Sequence, residues 1–153
     1  MTVPEILIRP LAAGEPAPYP LLLLADPAPD LVAAYLREGA CVVATVAQSV
    51  VGVYVLRPHA EVAEIKNIAV APEWQGRGIG KRLVADAARR AVDMGAREIT
   101  VGTGNSSLGQ LAFYQKCGFR IVSVERDFFA QYAAPITENG IPCLDLVRLS
   151  RVL

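Results

Sequence analysis

Between residues 41 and 56 the chain is apolar almost without a break. Cys41-Val42-Val43-Ala44-Thr45-Val46-Ala47 and Val50-Val51-Gly52-Val53-Tyr54-Val55-Leu56 are parted only by Gln48-Ser49. Two β-branched runs around a short polar break predict an antiparallel hairpin. Before it, residues 5–11 alternate enough for a first strand. Residues 14–29 are proline-rich and predict irregular chain with one short helix around residues 21–24. Residues 30–38 place Leu31, Ala34 and Tyr35 on one side of a helix that Gly39 stops.

Downstream, the pattern changes period more than once. In residues 62–70 the larger apolar side chains fall at 62, 65, 68 and 70, so the alternation changes parity midway. A β-bulge near Asn67 would restore one buried face, and burial on both faces is the alternative. Residues 78–94 are the clearest helix. Ile79, Leu83, Ala87, Ala88, Ala91 and Val92 form its apolar stripe, and Asp86 and Arg90 stand one turn apart on the wet side. Gly95 ends it. A strand over 98–101 and a loop over 102–105 follow, then a helix capped by Ser106 or Ser107 that runs to Lys116 and stops at Gly118. Residues 119–125 and 144–149 are the last strands. Between them lies an excursion over 126–142 with an Asn139-Gly140 turn.

Composition narrows the classes. The chain has 153 residues, 53% hydrophobic, which suits one domain spanning 1–153 with a sizeable core. Fifteen basic and fifteen acidic side chains cancel, and no basic tract stands out, so nucleic acid is not an expected partner. No apolar run is long enough for a bilayer, and no secretion signal is visible, so the expected location is the cytoplasm. Cys41, Cys117 and Cys143 match neither a disulfide framework nor a metal site. His59 is the only histidine, which excludes multi-histidine zinc chemistry and a serine–histidine triad. No metal is expected.

The most informative stretch is Gln75-Gly76-Arg77-Gly78-Ile79-Gly80-Lys81. Three glycines at alternate positions, ahead of a helix, let main-chain N–H groups and the positive helix end converge on a diphosphate. A Walker loop is excluded because Gly80-Lys81 is followed by Arg82 and position 75 is Gln. The dinucleotide fingerprint fails at Lys81, where a small residue is required. What remains, Gln-x-x-Gly-x-Gly after a strand ending Ile68-Ala69-Val70-Ala71-Pro72-Glu73, closely resembles the acetyl-CoA loop of the GNAT superfamily of N-acetyltransferases. The downstream Asn105…Tyr114 segment stands in the same register. The chain is similar to single-domain bacterial members over essentially its whole length.

The resemblance implies an α/β (α+β) fold. Its mixed, mostly antiparallel central sheet has six or seven strands and about four flanking helices. It implies acetyl-CoA as co-substrate, and an amine of a small molecule or peptide as acceptor. The main chain of Ile68, Ala69 and Val70 would hold the pantetheine arm, with the N–H near Val70 as oxyanion donor. Gln75, Gly76, Arg77, Gly78, Ile79, Gly80 and Lys81 would enclose the diphosphate. Asn105 and Tyr114 would contact the cofactor chain, and Tyr114 would protonate the departing sulfur. Its alternative is a core aromatic. Glu64 is similar in place to a glutamate base, and its neighbours Val62 and Ile65 would raise its pKa. Glu61, an ordered water or a solvated strand carboxylate are the alternatives.

Acetyl parked on a cysteine is disfavoured, because Cys117 falls at a helix C-terminus, where partial negative charge opposes a thiolate. Direct transfer in a ternary complex is the expected route. Asp127 and Glu138 suit a cationic acceptor, and Phe128, Phe129 and Tyr132 an apolar wall, although each also suits a solvated loop or ordinary packing. A homodimer is compatible with the sequence. The rival reading is a sensor that binds acetyl-CoA without turning it over.

Overall fold

The hairpin forms where the apolar runs place it but turns one residue early. In the computed structural model, which describes residues 4–153, β2 (Ala40–Val46) and β3 (Ser49–His59) are joined by Ala47 and Gln48. Both have positive φ, 48° and 72°. Two successive residues of that kind make the primed turn whose twist suits a hairpin. Ser49, expected in the turn, pairs with Val46.

Around this hairpin the described residues form a seven-stranded mixed sheet and four α-helices. β1 (Leu7–Pro10) adds antiparallel to β2. α1 (Tyr19–Ala25) and α2 (Pro29–Glu38) fill the stretch between them. β4 (Val62–Val70) runs antiparallel to β3, and α3 (Ile79–Asp93) leads to β5 (Glu98–Gly104). α4 (Leu108–Lys116) and β6 (Arg120–Glu125) follow. The excursion carries a two-residue hairpin, β7 (Thr137–Glu138) and β8 (Ile141–Pro142), turning at Asn139 and Gly140 as expected. β9 (Leu146–Val152) then inserts between β5 and β6, giving the order β1-β2-β3-β4-β5-β9-β6.

The unbroken apolar runs of β2 and β3 reflect burial on both faces. Val42, Ala44, Tyr54 and Leu56 pack with Leu83, Val84 and Ala87 of α3 in one core. Val43, Val53 and Val55 pack with Leu22, Val32 and Tyr35 beneath α1 and α2 in the other. The stripe of α3 differs from expectation at two positions: Val84 is buried and Val92 is 55% exposed. Projected down the axis at roughly 100° per residue, Val84 falls between Ala91 and Ala88, whereas Val92 falls beyond Ala88. β5 extends to Gly104, through residues expected as loop, because β9 pairs with it all the way to Leu146.

The parity change in β4 is a bulge. Val55 faces Asn67 and Leu56 faces Ile65, so Lys66 is the extra residue. Both Ile65 and Asn67 are thereby buried.

Candidate active site

β4 and β5 begin side by side and then part. They pair in parallel over four positions only, from Val62↔Glu98 to Ile65↔Val101, although both strands continue. Beyond Ile65 the edge of β4 faces no strand. Ala71 N–H donates to Val51 O at 2.8 Å. Main-chain groups alternate sides along a strand, so those of Val70 and Ile68 turn to the side that β5 has left. Those of Ala69 turn toward β3, which leaves Ala69 without the outward main-chain groups expected of it.

The glycine-rich segment sits at the end of that edge. Gly76 and Gly78 have φ of 77° and 81°, and a Cβ at either would meet no atom within 4 Å. Gly78 occupies the N-cap position of α3. No main-chain N–H from residue 76 to residue 81 reaches an acceptor among the described residues. Helix ends leave such groups unsatisfied, and a run of six is a ready cradle for an anion. Its neighbours hold it in place. Gln75 Nε2 donates to Val70 O at 3.0 Å, and the Arg77 guanidinium lies 4.5 Å from the centre of the Trp74 ring. Ile79 is buried as the first core residue of the helix, and Lys81 is exposed. Gly80 packs closely, since a Cβ there would come to 3.3 Å from Phe113 Cζ. This open cradle of free donors fits a diphosphate.

A cavity of about 610 Å³ lies beside the bulge, lined by Glu64, Asn67, Ile68 and Tyr114, and closed by α1–α2 on one side and the excursion on the other. Tyr114 is buried, and its hydroxyl finds no partner among the described residues. Burial pushes its pKa up from the ordinary phenol value, with Cys117 adding in the same direction. Glu64 is not in apolar company. Its Oε2 accepts from Arg148 Nη1 at 3.1 Å and stands 3.6 Å from Lys66 Nζ. Arg148 lies 84 positions away on β9, which hid this pairing from the sequence. Glu61 is exposed, pairs loosely with Arg97 at 3.9 Å and does not line the cavity.

Asn105 is largely occupied by its own chain. Its Oδ1 accepts from Leu144 N–H and Asp145 N–H, and its Nδ2 donates to Pro142 O at 3.1 Å, so one N–H remains to contact a ligand. Ser107 stands at the N-cap of α4, but its hydroxyl goes to Glu138 at 2.8 Å and makes no cap bond. Phe128, Phe129, Tyr132 and Glu138 all reach the cavity, and Asp127 does not. The fold also brings Asp26, Tyr35 and Asn67 to the cavity wall; they come from three separate elements, and no local pattern marks them as site residues. All three cysteines are free thiols, and burial pushes the pKa of two of them up, Cys41 to about 11 and Cys117 above the ordinary thiol value. No helix among the described residues is long and apolar enough to cross a membrane.

Comparison with known proteins accords with this geometry. The model of the Acetyltransferase (GNAT) family matches residues 8–119. The Bacillus subtilis (strain 168) protein named uncharacterized N-acetyltransferase YvbK is 51% identical over 133 residues, 86% of either chain. A GNAT family acetyltransferase from Elizabethkingia anophelis, solved with acetyl-CoA bound, superposes with a TM-score of 0.94 at 47% identity, covering 97% of this chain and 98% of that one. An IAA acetyltransferase from Bacillus cereus ATCC 14579 gives 0.92 at 46% identity, covering 97% and 100%. The splayed strands, the free amides after β4 and these likenesses make one conclusion: this chain belongs to the GNAT family and is an N-acetyltransferase.

Proposed function

We propose that this chain moves the acetyl group of acetyl-CoA directly to a primary amine of a small molecule or peptide, both substrates being bound together. The observation that carries the reading is the run of unpartnered amides over residues 76–81, placed where the open edge of β4 ends. The acetyl-CoA in the Elizabethkingia structure supports the same co-substrate here.

Bound acetyl-CoA supplies an activated thioester. Residues 76–81 hold its diphosphate by main-chain N–H groups, with Arg77 and Lys81 adding positive charge. Gln75 braces the loop, Ile68 and Val70 offer main-chain groups to the pantetheine arm, and Asn105 offers its free amide N–H. The Val70 N–H donates to the acetyl oxygen as charge builds there. Glu64 takes a proton from the incoming ammonium, directly or through water, while Arg148 and Lys66 hold its carboxylate in place. Tyr114 gives its hydroxyl proton to the leaving sulfur, a role that suits a phenol kept neutral by burial. The reaction belongs to the cytoplasm in this reading.

Two measurements test it together. Calorimetry with CoA should give saturable one-to-one binding, and a thiol-release screen across primary amines should find at least one that liberates CoA. Absent binding would remove the loop assignment. Binding without thiol release from any amine would make the chain an acetyl-CoA sensor instead.

A further inference from the structure

The carboxylates of the cavity are not alike in their partners. Glu38 faces Arg57 at 3.2 Å, and Glu64 faces Arg148 and Lys66. Asp26 and Glu138 line the same cavity with no cation within ion-pair distance among the described residues. Glu138 accepts only the hydroxyls of Ser106 and Ser107. Asp26 accepts Tyr132 Oη–H on Oδ1 at 2.8 Å, Tyr35 Oη–H on Oδ2 at 3.3 Å and Ala28 N–H at 3.2 Å. Its charge is therefore hydrogen-bonded but not neutralised.

A second unmet demand adjoins it. Tyr35 Oη accepts from Asn67 Nδ2 at 2.8 Å, and the other Nδ2 hydrogen goes to Leu22 O at 2.9 Å. Asn67 is only 4% exposed and lines the cavity, yet its Oδ1 receives no hydrogen bond. A buried amide oxygen without a donor is costly, and native structures rarely leave one idle. One wall thus lacks a positive charge at Asp26 and a donor at Asn67. An alkylammonium supplies both, having three donors, a positive charge and no acceptor of its own. The rings of Tyr35, Tyr132 and Phe129 add faces that attract a cation. Lys66 lies 5.8 Å from the centre of the Tyr35 ring, but its ion-pair partner is Glu64 and not Asp26.

We propose that Asp26 and Asn67, framed by Tyr35 and Tyr132, form a subsite for a second, non-reacting ammonium of the acceptor. The acceptor class is then a compound with two amino groups, one presented to Glu64 and the other held at Asp26. This rests on the acetyl-transfer reading above.

Initial rates of thiol release should be compared for straight-chain diamines, monoalkylamines of equal length and the matching ω-amino carboxylates. For the wild-type protein the best diamine should exceed its monoamine in kcat/KM by about 10–100-fold, and the carboxylate-bearing amine should fall below both. In Asp26→Asn the diamine-to-monoamine ratio should fall toward one, with CoA affinity by calorimetry reporting that the variant is folded. Equal rates for diamine and monoamine in the wild type would overturn the subsite, whatever the variant does. So would an unchanged ratio in a folded Asp26→Asn. Turnover of monoamines without diamine preference leaves the acetyl-transfer reading standing. Release from no amine, with CoA bound, ends both.

Discussion

Tyr54, on β3, is among the largest fully buried side chains, and its hydroxyl donates to Asp86 Oδ2 at 2.7 Å. The same oxygen accepts from Arg90 Nε at 2.8 Å, and Oδ1 accepts from Arg89. Burial raises the Asp86 pKa, but the hydrogen bonds from Arg90, Tyr54 and Arg89 outweigh it and leave the group below the ordinary carboxylate value. A depressed folded-state pKa gives stability that is present above the unfolded value, about 3.9, and lost as pH falls through the folded one. Asp86→Ala strands both the phenol and Arg90. It should lower unfolding free energy by about 2–3 kcal/mol in denaturant titration at neutral pH, and the gap to wild type should narrow in acid. At the site, Glu64→Gln should reduce turnover by about 10²–10⁴ at neutral pH with partial recovery at high pH, and an unchanged pH–rate profile would move the base elsewhere. Tyr114→Phe should slow turnover more than it weakens CoA binding, and the reverse would make the residue a packing aromatic. The Asp86–Arg90 pair was readable from helix spacing, whereas Tyr54 lies 32 positions away and was not. Glu64 was visible as a carboxylate in the right strand, but its cations come partly from β9, and no local pattern announces them.

Elements were more open to reading than residues. Period-2 and period-3.6 patterns placed the strands and helices because each has a face to bury, and the parity change in β4 could be read as a bulge because a slipped register would expose Ile65. Chain ends and turns were harder. The β2–β3 turn needs two residues at positive φ, which Ala47 and Gln48 adopt although neither is a favoured type there. β5 runs past its apolar part because β9 demands partners, a tertiary effect without a local signal. The loop before α3 was legible as an anion cradle because glycine at alternate positions is a backbone requirement. Gly78→Glu places its Cβ in open space, so the fold should persist with a loss of about 1–2 kcal/mol for the left-handed conformation. CoA affinity by calorimetry should drop at least about 100-fold, since a carboxylate then competes for the same amides. Retained affinity would discredit the cradle.

At the scale of the whole molecule, a ligand that binds only the folded chain raises its stability by mass action. CoA at about 100 times its Kd should add about 2.7 kcal/mol, which for a chain of this size is a rise in Tm of roughly 5–10 °C. An unmoved transition would argue against binding at residues 76–81. The four-pair contact between β4 and β5 has a consequence of its own. It is the spine of a half-open book: β1 to β4 form one leaf, and β5, β9 and β6 the other. The strands flanking the spine are tied into their leaves by antiparallel ladders, β4 to β3 and β5 to β9, that are longer than the parallel spine itself. A long, thin molecule bound between the pages would act as a clasp, and the stiffening should reach strands it never touches.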